Sequence, residues 1–161
     1  MGRIFIVSLV IICCLSSCDK NRVFDDYKSL PNSWNRDSVI SFKVSRLDTV
    51  QAYNLFINLR NTNAYKFSNI YLVTSMDFPS GKVIQDTLQY KMAHSDGEWM
   101  GVGYGDSKAS KLWYKKNVRF SEEGTYTFKI RQAMRRNGEK NGIKNLKGIT
   151  EVGFRIEKPN Q

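Results

Sequence analysis

Apolar and polar residues alternate along most of the chain after residue 36. In residues 39–45, Ile40, Phe42 and Val44 fall on one side of an extended strand, and polar residues fall on the other side. A period of two residues is typical of a half-buried β-strand. The same pattern returns in six further segments, at residues 53–59, 69–78, 83–92, 112–120, 125–134 and 150–157.

Turn residues separate these segments, as in Pro79-Ser80-Gly81 and Glu122-Glu123-Gly124. Gly and Pro at such positions favour tight turns, and no segment keeps a 3.6-residue period long enough for a core helix. The pattern therefore predicts an all-β fold, an antiparallel β-sandwich of the Ig-like or jelly-roll class with about seven or eight strands. Residues 37–161 are predicted to form this single domain, and residues 69–78, which are rich in apolar residues, suit a more central strand.

The N-terminus carries an export pattern instead of an alternating one. Residues 4–15 are apolar apart from Ser8 and follow the positively charged Arg3. This run is shorter than the roughly 20 residues that span a bilayer, and it fits a signal peptide. Leu15-Ser16-Ser17-Cys18 is typical of a bacterial lipobox. We therefore predict that residues 1–17 are a lipoprotein signal peptide and that Cys18 is acylated, with chains such as palmitate.

Two or three acyl chains hold a protein stably on a membrane. Residues 18–36 are then the acylated Cys18 followed by a tether and an edge segment. The alternatives are an uncleaved apolar N-terminus, or cleavage by the ordinary signal peptidase with Cys18 as an incidental thiol.

The net charge and its distribution along the chain restrict the class of binding partner. The chain has 161 residues and a formal net charge of +10, and its basic residues concentrate late in the sequence. An exported lipoprotein does not normally meet nucleic acid, so this charge points to anionic head groups or to an acidic protein. Aromatic and Arg side chains are favoured interface anchors. We predict that an interaction surface includes Trp113, Arg131, Arg135 and Arg136; the competing interpretation is that Trp113 is core and the arginines are merely solvated.

Few residues suit catalysis. His94 is the only histidine, and no cysteine follows Cys18. His94, Asp96 and Glu98 share one face of an extended strand and would suit a metal there, but Asp96-Gly97 is a strong turn dipeptide that breaks that face. No carboxylate spacing fixes a glycosidase pair. The sequence predicts no enzyme, no metal and no cofactor.

Several separated blocks resemble one known family in order and content. They are YNLFINLRN (53–61), FSNIYL (67–72), DGEWMG (96–101), KLWY (111–114), QAMR (132–135) and GITEVGFRIE (148–157). Together with the lipobox, they resemble the gliding-motility lipoprotein family GldH of the Bacteroidota over essentially the whole exported chain.

This resemblance implies a non-catalytic envelope lipoprotein that assembles or stabilises the gliding apparatus linked to type 9 secretion. Its implied partners are the membrane and other gliding or secretion proteins, and its implied location is the outer membrane. In that phylum an acidic run after Lys at this position is associated with surface display, and no such run follows Lys20. The resemblance therefore favours a periplasm-facing domain. The alternative is a sandwich that binds glycan or peptidoglycan through exposed Trp or Tyr rings, and a hydrolase is a distant third hypothesis.

Overall fold

The alternating segments form antiparallel strands in the computed structural model, which describes residues 19–160. In that range there are ten strands: β1 (Arg22–Ser29), β2 (Ser33–Asn35), β3 (Ile40–Ser45), β4 (Ala52–Asn61), β5 (Asn69–Asp77), β6 (Val83–Lys91), β7 (Lys108–Arg119), β8 (Thr125–Gln132), β9 (Asn145–Lys147) and β10 (Ile149–Glu157). None of the described residues belongs to a helix long and apolar enough to cross a membrane. The predicted signal peptide at residues 1–17 and the predicted lipidation site Cys18 lie outside the described residues.

Two four-stranded sheets make up most of the fold. Sheet A has the strand order β1-β10-β4-β7, and sheet B has the order β3-β8-β5-β6. Every strand pairing is antiparallel, so the prediction of an all-β antiparallel sandwich is confirmed. The strand predicted to be more central, β5, lies between β8 and β6. The described part of residues 18–36, a range predicted to be tether and edge segment, contributes the edge strand β1 and the short strand β2.

Stacked aromatic side chains join the two sheets. The rings of Phe154 in sheet A and Phe128 in sheet B are 4.2 Å apart between centroids, with 24° between their planes. Phe42, the register partner of Phe128 in sheet B, also packs against Phe154, with 6.0 Å between the ring centroids. All three side chains are buried. Stacked aromatic pairs contribute about 0.5–1.5 kcal/mol beyond their buried area, so this column fixes how the sheets pack.

The short strands β2 and β9 pair with each other and close one end of the core. Trp34 and Leu146 are register partners there, and both are fully buried. The buried Gln132 at the end of β8 donates from Nε2 to the carbonyl of Ile143 at 2.7 Å, and its Oε1 accepts from the Met134 amide at 2.8 Å. These bonds satisfy the buried polar side chain at the point where β8 ends.

The strands run up and down between two ends of the sandwich. We call the end at which β1 begins the entry end. There β1 begins beside the end of β10, and Asn21 donates to Asn160 at 2.8 Å. The turns 46–51, 78–82 and 120–124 also lie there. The far end carries the loops 30–39, 62–68, 92–107 and 133–144. A nine-residue strand such as β10 spans about 30 Å, and that length separates the two ends.

Candidate interaction surfaces

A charged network on the outer face of sheet A ties the beginning of the chain to the sandwich. At its centre, Arg155 on β10 donates from Nη1 to the Asp25 carboxylate at 2.7 Å. The same guanidinium contacts Asp19 through Nη2 and Glu157 through Nε. Lys111 of β7 donates to Glu157 at 2.6 Å. One guanidinium thus connects β1, β10 and the residue that directly follows Cys18.

The charges in this network support one another. Burial favours the neutral form of Glu157, but hydrogen bonds from Lys111 and Arg155 outweigh burial and hold its pKa below the ordinary value. The bond from Arg155 likewise lowers the pKa of Asp19. Burial disfavours the charged guanidinium, but its carboxylate partners outweigh burial and raise the pKa of Arg155. One oxygen of Asp25, Oδ1, is buried without a hydrogen-bond partner, so this carboxylate depends on Arg155.

Aromatic side chains lie beside the network on the same face. Phe56 alternates with the core residues of β4 and points outward, yet it is only 3% exposed. Trp113 covers it, with the ring centroids 4.3 Å apart, and the Lys111 ammonium is 4.1 Å from the Phe56 centroid. Trp113 itself is 47% exposed, with the Lys116 ammonium 4.4 Å from its ring. The interpretation of Trp113 as a plain core residue is therefore wrong.

The structure does not bring together all four residues predicted for an interaction surface. Trp113 alternates with core residues of sheet A, whereas Arg131 alternates with core residues of β8 in sheet B. Since successive side chains of a strand point to opposite sides of a sheet, Trp113 and Arg131 lie on opposite faces of the sandwich. Arg135 and Arg136 are neighbours in the far-end loop after β8, and both are exposed.

The loop that carries Arg135 and Arg136 contributes to a basic pocket at the far end. This far-end pocket has a volume of about 270 Å³, and Arg136, Lys66 and Lys147 contribute cations to its wall. Phe67 and Ile143, both partly buried, supply apolar surface. No carboxylate lines it. These residues suit a ligand that carries an acidic group next to an apolar group.

The residues around this pocket make the far end still more basic. Residues 133–147 include five cations, Arg135, Arg136, Lys140, Lys144 and Lys147, and a single carboxylate, Glu139. Glu139 lies 3.7 Å from Arg136. Both side chains are more than half exposed, and such pairs contribute at most about 1 kcal/mol. This contact therefore leaves the guanidinium available to a partner.

The turn predicted at Asp96-Gly97 is confirmed. The Gly97 amide donates to the His94 carbonyl at 3.1 Å, and the His94 amide donates to the Glu98 carbonyl at 2.7 Å. Gly97 has a φ of 90°, a backbone conformation that glycine adopts readily. His94, Asp96 and Glu98 therefore do not share one face of an extended strand, as a metal site at these residues required. Across residues 19–160, no group of three or more His, Cys, Asp or Glu side chains is placed to hold a metal ion.

The family model that describes the GldH lipoprotein matches residues 22–156. That range holds all ten strands apart from the last residue of β10. The chain belongs to the GldH lipoprotein family.

Two relatives agree with this membership of the GldH family. A gliding motility lipoprotein GldH homolog of Christiangramia forsetii is 53% identical over 155 residues, which are 96% of this chain and 93% of that protein. The gliding motility lipoprotein GldH of Flavobacterium johnsoniae is 50% identical over 143 residues, 89% of each chain. The likeness thus extends over nearly the full length of both proteins.

Sequence reasoning missed the residues that organise both surfaces of this GldH family member. Arg155 and Asp25 are 130 positions apart, and only the pairing of β1 with β10 makes them neighbours. The period-two pattern of β10 does indicate that Arg155 points outward, but it does not identify a partner. Lys66 and Phe67 reach the far-end pocket from a loop that has no pattern of its own.

Proposed function

We propose that this member of the GldH family is a lipid-anchored, non-catalytic component of the gliding-motility apparatus linked to type 9 secretion, in which it assembles or stabilises envelope proteins. The observation that carries the proposal is the family match over residues 22–156, together with two relatives named gliding motility lipoproteins at 53% and 50% identity. The charged and aromatic surfaces of the sandwich supply binding faces for such a role.

The proposed anchor fixes the orientation of the domain. Cys18 directly precedes Asp19, which contacts Arg155, and β1 begins only four residues after Cys18. Acylation of Cys18 therefore brings the entry end next to the bilayer with almost no tether. The proposed location is the periplasmic side of the outer membrane.

This orientation favours one of the two partner classes for Arg135 and Arg136. The far end lies about 30 Å from the entry end, as the length of β10 indicates. Salt screens charges over about 8 Å at physiological ionic strength, so far-end cations gain little from the head groups of the anchoring leaflet. An acidic envelope protein is therefore the proposed partner, and the far-end pocket is its proposed contact.

Gene deletion in a gliding relative tests the function. We expect the deletion strain to lose colony spreading and to secrete less surface adhesin, and we expect this chain to restore both. Normal spreading together with normal adhesin secretion in the deletion strain would contradict the proposed function.

Cross-linked recovery tests the contact surface. Replacing Arg135 and Arg136 together with Ser should weaken recovery of the partner in a salt-sensitive way, because the far-end charge falls while the core is untouched. The matched control replaces the exposed Lys43 and Lys82 with Ser, since these cations lie nearer the entry end. Equal recovery at low salt from both variants would exclude this surface, and a collapsed melting temperature of the arginine variant would make the two arginines structural.

A further inference from the structure

A tyrosine ring is held in a fixed position on the outer face of sheet A. Tyr27 of β1 is the register partner of Gly153 on β10. A Cβ at Gly153 would lie 2.6 Å from both Cδ1 and Cε1 of Tyr27, so the ring lies directly over this residue only because it is glycine. The Tyr27 hydroxyl accepts a hydrogen bond from Asn58 Nδ2 at 2.8 Å. Tyr27 remains 44% exposed, and the side of its ring away from Gly153 faces solvent.

A small pocket opens beside this ring. Its volume is about 200 Å³, and it extends over β4 and the beginning of β7. The lining provides the Tyr27 ring, the Asn58 amide, three cations from Arg60, Lys111 and Arg155, and some apolar surface. None of the lining residues is acidic.

The cations differ in how strongly they are already paired. Arg155 and Lys111 both bind Glu157. Arg60 has one carboxylate contact, with Glu151 at 3.2 Å, and 47% of its side chain is exposed. Such half-exposed pairs contribute at most about 1 kcal/mol. Arg60 is thus the side chain best placed to bind an incoming anion.

We propose that this pocket binds a sugar unit that carries a carboxylate, such as the uronic acid of an envelope polysaccharide. The C–H groups on one face of a pyranose ring carry slight positive charge and pack against the negative face of an aromatic ring, here the free face of Tyr27. The Asn58 amide supplies hydrogen bonds for a sugar hydroxyl, and Arg60 binds the carboxylate.

The size and stiffness of the site agree with this ligand. Sites for drug-sized ligands measure about 300–1,000 Å³, so a pocket of about 200 Å³ suits a single ring. Gly153 below the ring and Asn58 at its hydroxyl hold Tyr27 before any ligand arrives, so little side-chain freedom is lost on binding. The site goes beyond the proposed role in gliding and does not depend on it.

Calorimetric titration of the full acylated chain in detergent micelles tests the proposal, with a galacturonic acid trimer as the probe and cellotriose as the neutral comparison. We expect the acidic trimer to bind at least about fivefold more tightly than cellotriose. Replacing Tyr27 with Leu should weaken trimer binding at least about fivefold, because the platform is lost. The matched control is Tyr71→Leu, which removes an exposed ring from the outer face of sheet B and should leave binding unchanged.

The Arg60→Met variant tests the contribution of the Arg60 charge separately from that of the Tyr27 ring. It removes a half-exposed side chain, so the fold is preserved, and it should bring trimer affinity down to that of cellotriose. Absence of trimer binding, or equal binding by the Tyr27→Leu and Tyr71→Leu variants, would overturn the site. Equal affinity for the trimer and cellotriose would overturn the acidic specificity. Each of these results is independent of colony spreading.

Discussion

Arg155 is the residue whose removal should disturb the sandwich most without touching the core. Its guanidinium has three carboxylate partners, Asp19, Asp25 and Glu157. Replacing it with Met keeps a long apolar stem and removes the charge. Asp25, with a side chain only 15% exposed and one oxygen already unpartnered, then loses its remaining partner.

The expected cost follows from the burial of that carboxylate. Removing one partner of a fully buried ion pair costs about 3–5 kcal/mol. The side chains of Arg155 and Asp25 are 14% and 15% exposed, so some solvent screening remains and we expect the lower limit, about 3 kcal/mol. For a domain of this size, such a loss lowers the melting temperature by roughly 6–12 °C.

Urea denaturation at neutral pH measures this change, with Arg60→Met as the matched control on the same face. Arg60 has one half-exposed carboxylate contact, so its loss should cost less than about 1 kcal/mol. Equal free energies of unfolding for the Arg155→Met variant and the wild type would refute the argument that Asp25 depends on this guanidinium.

The pH dependence supplies a second check on the same network. The pKa of Glu157 is lower in the folded protein than its ordinary value, so its contribution is present above the unfolded pKa and is lost as pH falls through the folded pKa. The difference between wild type and Arg155→Met should therefore be full at neutral pH and shrink below about pH 4, where carboxylates become protonated. A difference that stays constant into acid would mean that packing, and not charge, carries the effect.

Three further predictions address the core, a partly buried tyrosine and the anchor. Replacing Phe154 with Ala should cost about 3–5 kcal/mol in urea denaturation because a stacked, buried ring is lost; a cost below about 1 kcal/mol would contradict the packing. Burial, with the nearby Asp86, raises the pKa of Tyr90 to about 12. Tyr90→Phe should therefore leave the phenolate absorbance unchanged at about pH 10, where ordinary tyrosines ionise, whereas a drop would show an accessible phenol. Replacing Cys18 with Ser should abolish acylation and processing by the lipoprotein signal peptidase, and an acylated variant of unchanged mature mass would refute the lipobox.

The sequence predicts the strands best where period-two alternation is long. The seven alternating segments correspond to β3–β8 and β10 within a few residues. The three-residue strands β2 and β9 were not predicted, because each contributes one buried apolar side chain, Trp34 or Leu146, and a single residue has no period. β7 begins four residues before the predicted segment, since Lys108 to Lys111 lack the apolar residues that mark a strand.

Exposure and long-range contacts were harder to predict than strands. Alternation correctly places Phe56 on the outward side of β4, yet Trp113 and Lys111 cover it across a strand pairing that sequence spacing does not define. The same limit applies to Arg131 and Trp113, because a basic stripe along the sequence is divided between opposite sheets. The pocket beside Tyr27 depends on glycine at position 153, which has meaning only once β1 lies against β10.

Colony spreading by a deletion strain of a gliding relative, complemented with variants of this chain, tests the central claim most directly. The claim is that a lipid-anchored domain works in gliding through a basic far end. It predicts that the Arg135→Ser/Arg136→Ser double variant reaches the membrane at wild-type abundance and still fails to restore spreading, whereas the Lys43→Ser/Lys82→Ser control restores it. Full spreading with the double arginine variant would contradict the claim.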